Sequence, residues 1–328
     1  MLKTVIITGA RGYIGRALAK SLAGQGYALR LVSRSAVARG GNETGAVIEH
    51  VQADLRNEKT WQILLQGADA VVHLSSRTDL RAAEADPAGD RDLNVEPVRA
   101  LVNAAQRCRV VLPVIFASST TIVGNLHVNP VNEKTPDHPC SVYDRHKLEC
   151  EIMLGDATRR GVLSACSLRL ATVFGYGVGL DSTNPNRGIL NAVMQGAARG
   201  QSPIIYGDGK YIRDYIFVSD AVDAFCLALS SDRVRNGNHF VIATGRGYTL
   251  AEAFGLVAQE AYRATGRTIE VRHVPEPSDL HPIQKRNFIG DSRMFQEKTG
   301  WRPRVDLESG IRDYFQRLLA GSQAASIT

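Results

Sequence analysis

The sequence predicts an α/β fold, a doubly wound parallel sheet with a smaller C-terminal lobe. Three observations predict it. Through the first half, apolar runs of strand length alternate with longer segments of helical period, the pattern of βαβ units whose helices cover both faces of a parallel sheet. The segment TGARGYIG, residues 8–15, follows directly on the apolar run Val5-Ile6-Ile7 and opens a helical pattern. Past Phe174 the texture changes to Gly, Asn, Pro and Asp in GYGVGLDSTNPNRG, which marks departure from the sheet.

The strands expected in order are residues 4–8, 29–33, 70–74, 110–117 and 164–170, with a further apolar stretch ahead of Asp54. Between Gly15 and Gly26 the apolar positions Leu18, Ala19, Leu22 and Ala23 follow helical spacing, and Gly24 and Gly26 stand where that helix should end. Residues 1–174 are therefore read as one sheet domain. A short helical segment over 189–199 belongs to the lobe, residues 216–245 return to the first domain, and residues 175–215 with 246–320 make up the lobe. A last helix is expected near 307–319, and the small polar residues 321–328 should fray.

At 328 residues and 44% hydrophobic, the chain can bury a sizeable core. No stretch approaches the ~18 consecutive apolar residues of a membrane span, and Lys3 leads straight into a strand-like run, so no membrane partner and a cytoplasmic location are expected. The five cysteines, at 108, 140, 150, 166 and 226, form no CxxC pair and no Cys/His metal spacing. They read as reduced thiols, with no metal site. The formal charge of +6 comes from scattered Lys and Arg rather than a block, which disfavours nucleic acid and fits a solvated basic surface or an anionic small molecule.

In the glycine loop, Gly9 allows the tight turn, Gly12 lets backbone approach a pyrophosphate, and Gly15 lets helix pack on strand. The helix N-terminus then offers free N–H groups and a positive dipole end to phosphates, so the first unit is Rossmann-type and binds a dinucleotide. The end of the second strand selects the coenzyme. NAD sites usually place Asp or Glu there, whereas this chain has Ser33 followed by Arg34. With Arg11 in the loop, two guanidinium groups would suit a 2′-phosphate, which favours NADP over NAD. Asp54 could accept from the adenine amino group or cap the helix that follows.

Tyr143 and Lys147 lie four apart in the helical segment SVYDRHKLECEIML and so share a face. An ammonium beside a tyrosine stabilises the phenolate and assists proton transfer near neutral pH. Taken with the glycine loop and the strand end Ser118-Ser119, the chain resembles an extended short-chain dehydrogenase/reductase of the sugar-nucleotide epimerase/dehydratase type. The resemblance covers nearly the whole length, through TGARGYIG, Asp54-Leu55, His73-Leu74, Leu93-Asn94-Val95, FASSTTIVG, YDRHK and GDGKYIRDYIFVSDAVDAF.

That resemblance implies Ser119 as the catalytic hydroxyl, Tyr143 as acid/base and Lys147 as its partner. It also implies coenzyme contacts from Gly9, Arg11, Gly12, Tyr13, Ile14, Gly15, Ser33, Arg34, Asp54, Leu55, Leu74 and Ser75, with Tyr143 and Lys147. Arg213 is expected to grip a substrate pyrophosphate, Ser119, Thr120 and Thr172 to face the substrate, and Asp214 to serve the structure. A homodimer built on the helix bearing Tyr143 and Lys147 is implied as well.

The departures from the family pattern matter. Thr120 and Thr121 stand where sugar 4,6-dehydratases carry an Asp-Glu pair, which disfavours dehydration. Thr172 stands at a frequent Asn position and Val123 at the usual tyrosine of the VYG element. Glu276-Pro277-Ser278-Asp279 occupies the place of a second phosphate-binding arginine, for which Arg286 is the substitute. The expected reaction is NADPH-driven reduction of a nucleotide-linked 4-keto(-6-deoxy)hexose. The alternative is an NAD-dependent sugar-nucleotide 4-epimerase. Reduction of a flavonoid- or steroid-type ketone, and a non-catalytic coenzyme sensor, rank below both.

Overall fold

The computed structural model describes residues 3–35, 47–125, 129–177 and 188–325. Seven parallel strands form the main sheet: β1 (Thr4–Thr8), β2 (Ala28–Ser33), β3 (Ile48–Gln52), β4 (Ala70–His73), β5 (Pro113–Ser119), β6 (Ser164–Leu170) and β10 (His239–Ile242). Their order across the sheet is β10-β6-β5-β4-β1-β2-β3, reversing on either side of β1 as a doubly wound fold requires. Strand β5 begins at Pro113 rather than 110. The helix before it runs on to Cys108 and ends on Arg109 in a left-handed conformation, so residues 110–112 are used to reach the sheet.

Both faces of the sheet are buried, and successive residues divide between them. Val5, Ile7, Val72 and Ile115 face α1 (Tyr13–Gly24) and α8 (Val218–Ser230), in one core with Leu18, Leu22, Val222 and Phe225. Ile6, Val71, Val114 and Phe116 face α2 (Glu58–Leu64), α5 (Glu96–Cys108) and α6 (Val142–Arg159), packing on Trp61, Leu101, Cys150 and Leu154. Two short helices, α3 (Leu80–Ala85) and α4 (Pro87–Asn94), lie against α6.

The lobe contains a three-stranded sheet of β7 (Thr172–Phe174), β9 (Ile212–Phe217) and β11 (Gly247–Thr249), and a parallel pair of β8 (Ile204–Tyr206) and β12 (Arg272–Val274). Helices α7 (Ile189–Ala198), α9 (Leu250–Thr265) and α11 (Leu307–Ala325) close a core of Phe174, Tyr215, Phe217, Phe254, Tyr314 and Phe315. After β9 the chain re-enters the main body as α8 and β10, and β10 pairs with β6.

One segment differs from expectation. Residues 246–320 are not wholly lobe: Phe288, Phe295 and Trp301, with α10 (Arg293–Thr299), join the core of the main sheet, where the Phe295 ring lies 5.7 Å from Phe240 and 6.0 Å from Trp301. The final helix is assigned over Leu307–Ala325. Residues 326–328, and residues 178–187 of the Gly/Asn/Pro segment, lie outside the described residues. Among those described, no helix is long and apolar enough to cross a membrane.

Candidate active site

The C-terminal edge of the main sheet opens into a cleft of about 570 Å³, a size suited to a small-molecule ligand. Strand β1 ends at Thr8, whose Oγ1 accepts the N–H groups of Leu74 and Ser75 at 3.2 Å and meets His73 Nδ1 at 3.0 Å. These bonds draw the end of β4 against the glycine loop. Gly9 turns there with φ +65°, and a Cβ on it would stand 2.8 Å from the backbone of Leu74 and Ser75. Gly12 N donates to Gly9 O at 2.8 Å and then caps α1 in extended conformation, with no side chain on the helix N-terminus and no acidic residue in its first turn. A Cβ on Gly15 would come 2.8 Å from Ala10 Cα. This backbone cradle, open at a helix start, fits the pyrophosphate of a dinucleotide.

Every expected coenzyme residue except Asp54 lines the cleft: Gly9, Arg11, Gly12, Tyr13, Ile14, Gly15, Ser33, Arg34, Leu55, Leu74, Ser75, Tyr143 and Lys147. At the end of β2, Arg11 Nη1 donates to Ser35 Oγ at 2.7 Å, and Arg34 lies beside it on the wall. No Asp or Glu is among the described lining residues. Asp54 lies between Ala53 and Leu55, which both line the cleft. Its carboxylate holds Arg56 through two oxygens, the shorter contact being 2.6 Å, and that guanidinium keeps it below the usual carboxylate range. Nor does it cap α2, whose N-cap is Asn57.

Helix α6 delivers the tyrosine and lysine. Ser141 caps it by accepting Asp144 N at 3.0 Å, and Tyr143 and Lys147 follow one turn apart. Lys147 is 3% exposed. Its Nζ donates to Ala117 O at 2.8 Å and lies 4.6 Å from the Phe116 ring centre and 5.7 Å from that of Tyr143. Burial brings its pKa down to about 8. Tyr143 is pushed up, first by burial and then by the carboxylates of Asp144 and Asp90, against a hydrogen bond to Ser76. The expected depression by Lys147 is thus outweighed by desolvation.

Ser119 ends β5 on a short 3-10 turn, Thr120–Val123. Its Oγ accepts Thr121 N at 3.2 Å and lies 2.7 Å from Thr121 Oγ1, which donates to Asp144. Thr120 departs from expectation: the turn points it inward, it is 5% exposed, and its hydroxyl donates to Leu170 O at 3.2 Å. The sequence reading missed Ser118. It lines the cleft with its buried Oγ unpaired, on the α6 face with Phe116; the two-residue alternation of β5 is the signal that could have found it.

On the lobe side, half-buried Thr172 opens β7, and Arg213 on β9 is 6% exposed. Arg213 donates to the carbonyls of Ile212, Gln284 and Arg286, and Arg286 donates to Ile283 O at 2.8 Å. Burial and the neighbouring Arg286 bring Arg213 down to about 9, and burial also lowers Arg286. Among the described residues neither has a carboxylate within ion-pair distance, so two close cations favour an anion between or beside them. None of Ser119, Thr120, Thr172, Arg213 and Arg286 lines the cleft described above. Asp214, next along β9, accepts from Thr244 N, Thr244 Oγ1, Gly245 N and Gly290 N, tying the lobe to the main sheet.

Comparison with known proteins agrees with this geometry. The model of the NAD dependent epimerase/dehydratase family matches residues 5–243. The UDP-glucose 4-epimerase of Mycolicibacterium smegmatis is 27% identical over 312 residues, covering 93% of this chain and 95% of the relative. A crystal structure of UDP-glucose 4-epimerase with UDP-glucose from Thermotoga maritima superposes with a TM-score of 0.83 at 26% identity, over 97% of this chain and 99% of the other. The Stenotrophomonas maltophila UDP-glucose-4-epimerase with bound NAD and formylated UDP-arabinopyranose gives 0.82 at 27%, over 98% and 99%. With a glycine cradle at β1, a Tyr/Lys pair on α6 and a match across both lobes, the chain belongs to the NAD dependent epimerase/dehydratase family.

Proposed function

We propose that the protein interconverts the C4 epimers of a UDP-linked hexose. The observation that carries this reading is the whole-length likeness to UDP-glucose 4-epimerases, which extends through the lobe as well as the sheet domain. A nicotinamide coenzyme in the cleft supplies a hydride acceptor that becomes a donor. Tyr143 takes the C4 hydroxyl proton and returns it to the oxygen after the sugar has turned over. Lys147 holds positive charge beside the phenol and reaches the nicotinamide ribose, and Ser119 hydrogen-bonds the reacting oxygen. Arg213 and Arg286 supply charge for the diphosphate. Thr120 and Thr121 give no carboxyl acid for water elimination, which supports epimerisation over dehydration.

One observation favours a second reading, NADPH-driven reduction of a nucleotide-linked 4-keto sugar. Arg11 and Arg34 stand with Ser33 and Ser35 on one wall of the cleft, two guanidinium groups that suit a 2′-phosphate, which supports NADP over NAD. Proton NMR of the purified protein with UDP-galactose separates the two. The epimerase reading expects UDP-glucose to appear without net consumption of coenzyme, and Tyr143→Phe to lose about 10²–10⁴-fold in rate while still binding coenzyme. No interconversion, with stoichiometric NADPH oxidation by a keto sugar, would favour the reductase. Pairing of two chains through α6, whose Ile152 is 55% exposed, is proposed as the assembly.

A further inference from the structure

The catalytic reading leaves unused a buried carboxylate one residue beyond the tyrosine. Asp144 has no exposed surface. Its Oδ2 accepts Ser141 Oγ–H at 2.6 Å and its Oδ1 accepts Thr121 Oγ1–H. Thr121 Oγ1 in turn lies 2.7 Å from Ser119 Oγ. A hydroxyl carries one proton, so a threonine that donates to Asp144 can only accept from Ser119. Ser119 then spends its proton on Thr121, accepts Thr121 N–H at 3.2 Å, and keeps one lone pair for a ligand.

Resting on the epimerase reading above, we propose that Asp144 is a positioning residue that sets, through Thr121, whether Ser119 accepts from a substrate hydroxyl or donates to a substrate carbonyl. With Asp144 ionised, the chain of O–H bonds runs from Ser119 to Thr121 to Asp144, and Ser119 is an acceptor suited to the C4 hydroxyl. A proton taken up by Asp144 on Oδ1 reverses the two hydroxyl bonds of the chain: Asp144 donates to Thr121, Thr121 donates to Ser119, and the Ser119 O–H is released toward a C4 carbonyl, while the Ser141 and Thr121 N–H bonds stay as they are. No bond to carbon changes in this reversal.

Arg286 and His281 favour the carboxylate, and the Ser141 and Thr121 bonds do likewise, but burial prevails and raises Asp144 above the ordinary carboxylate range. Burial also raises the pKa values of Tyr143 and Cys140, the other titratable neighbours. Glu84 reaches this cluster at Val142 N, at 2.6 Å, and at His281 Nε2, at 3.6 Å.

Two measurements test the proposal on wild type, Thr121→Val, Thr121→Ser and Asp144→Asn. The first is the pH dependence of kcat and KM with UDP-galactose. Thr121→Val should lower kcat at least tenfold with KM within threefold, and should remove the wild-type ionisation that Asp144→Asn also removes; Thr121→Ser should restore both. The second is a carbon-13 titration of protein labelled at aspartate carboxyls, with the Asp144 signal identified by its absence in Asp144→Asn. That signal should titrate above the usual carboxylate range and move further up in Thr121→Val, which withdraws a donor from the ionised form. A Thr121→Val protein with the wild-type pH profile and an unmoved Asp144 signal overturns the proposal. If wild type turns over no UDP-sugar, the functional reading fails separately, and the carbon-13 titration alone decides the hydroxyl chain: a moved signal upholds it and an unmoved one overturns it.

Discussion

Lys147 carries its charge where burial resists it, between the Phe116 and Tyr143 rings and against the carbonyl of Ala117. Its pKa of about 8, against an ordinary 10.5, fixes two pH effects of opposite sign. In the proposed mechanism turnover needs the ammonium beside Tyr143, so kcat should fall as pH rises through about 8. Between about 8 and 10.5 the unfolded chain keeps a proton that the native lysine has released, so this group's contribution to stability rises with pH there. A pH–rate profile and melting temperatures over the same range check both, and Lys147→Arg, which stays protonated, should lack the alkaline loss of rate. A Lys147→Arg protein that keeps the alkaline limb would assign that limb to another group. Residue types were legible here because tyrosine and lysine at helical spacing need only the helix to meet. The Thr120 and Asp144 orientations were not, because a 3-10 turn and a buried hydroxyl chain are set by contacts between β5, α6 and β6.

At the scale of elements, the glycine loop is a close fit of strand, turn and helix. Gly15→Ala places a methyl against Ala10 Cα at 2.8 Å and against the carbonyl of Gly9. Backbone atoms cannot step aside, so a loss of about 1–3 kcal/mol is expected, with coenzyme affinity weakened at least tenfold because the cradle shifts. Denaturant unfolding and coenzyme titration read these separately. Strand β9 depends on Asp214, whose two oxygens receive Thr244, Gly245 and Gly290. Removing it in Asp214→Ala leaves several donors orphaned and should cost about 3 kcal/mol or more, measured by the shift in unfolding midpoint. The strand–turn–helix unit was readable since its glycines encode backbone demands directly. The return of Phe288, Phe295 and Trp301 to the main sheet was not, since isolated aromatics after a lobe carry no period that says which core they join.

For the whole molecule, the doubly wound order follows from apolar runs buried on both faces, as Val5 and Ile7 on one side of Ile6 illustrate. That much the alternating pattern announced. Assembly depends on surface that no period reports: α6 exposes Ile152 and links Glu149 to Arg91 at 2.5 Å and Arg99 at 3.3 Å. Light scattering should return twice the chain mass of 35.6 kDa, and Ile152→Lys should shift it toward the single-chain value; a monomeric wild type would contradict pairing through this helix. In the proposed reaction hydride leaves C4 and returns to the same carbon. The most direct test is to supply UDP-galactose deuterated at C4 and follow the label by NMR into the product. The account predicts UDP-glucose with deuterium retained at C4 while the coenzyme pool stays unlabelled and unconsumed. Absence of any UDP-glucose, or deuterium lost from C4 into free coenzyme, would contradict it.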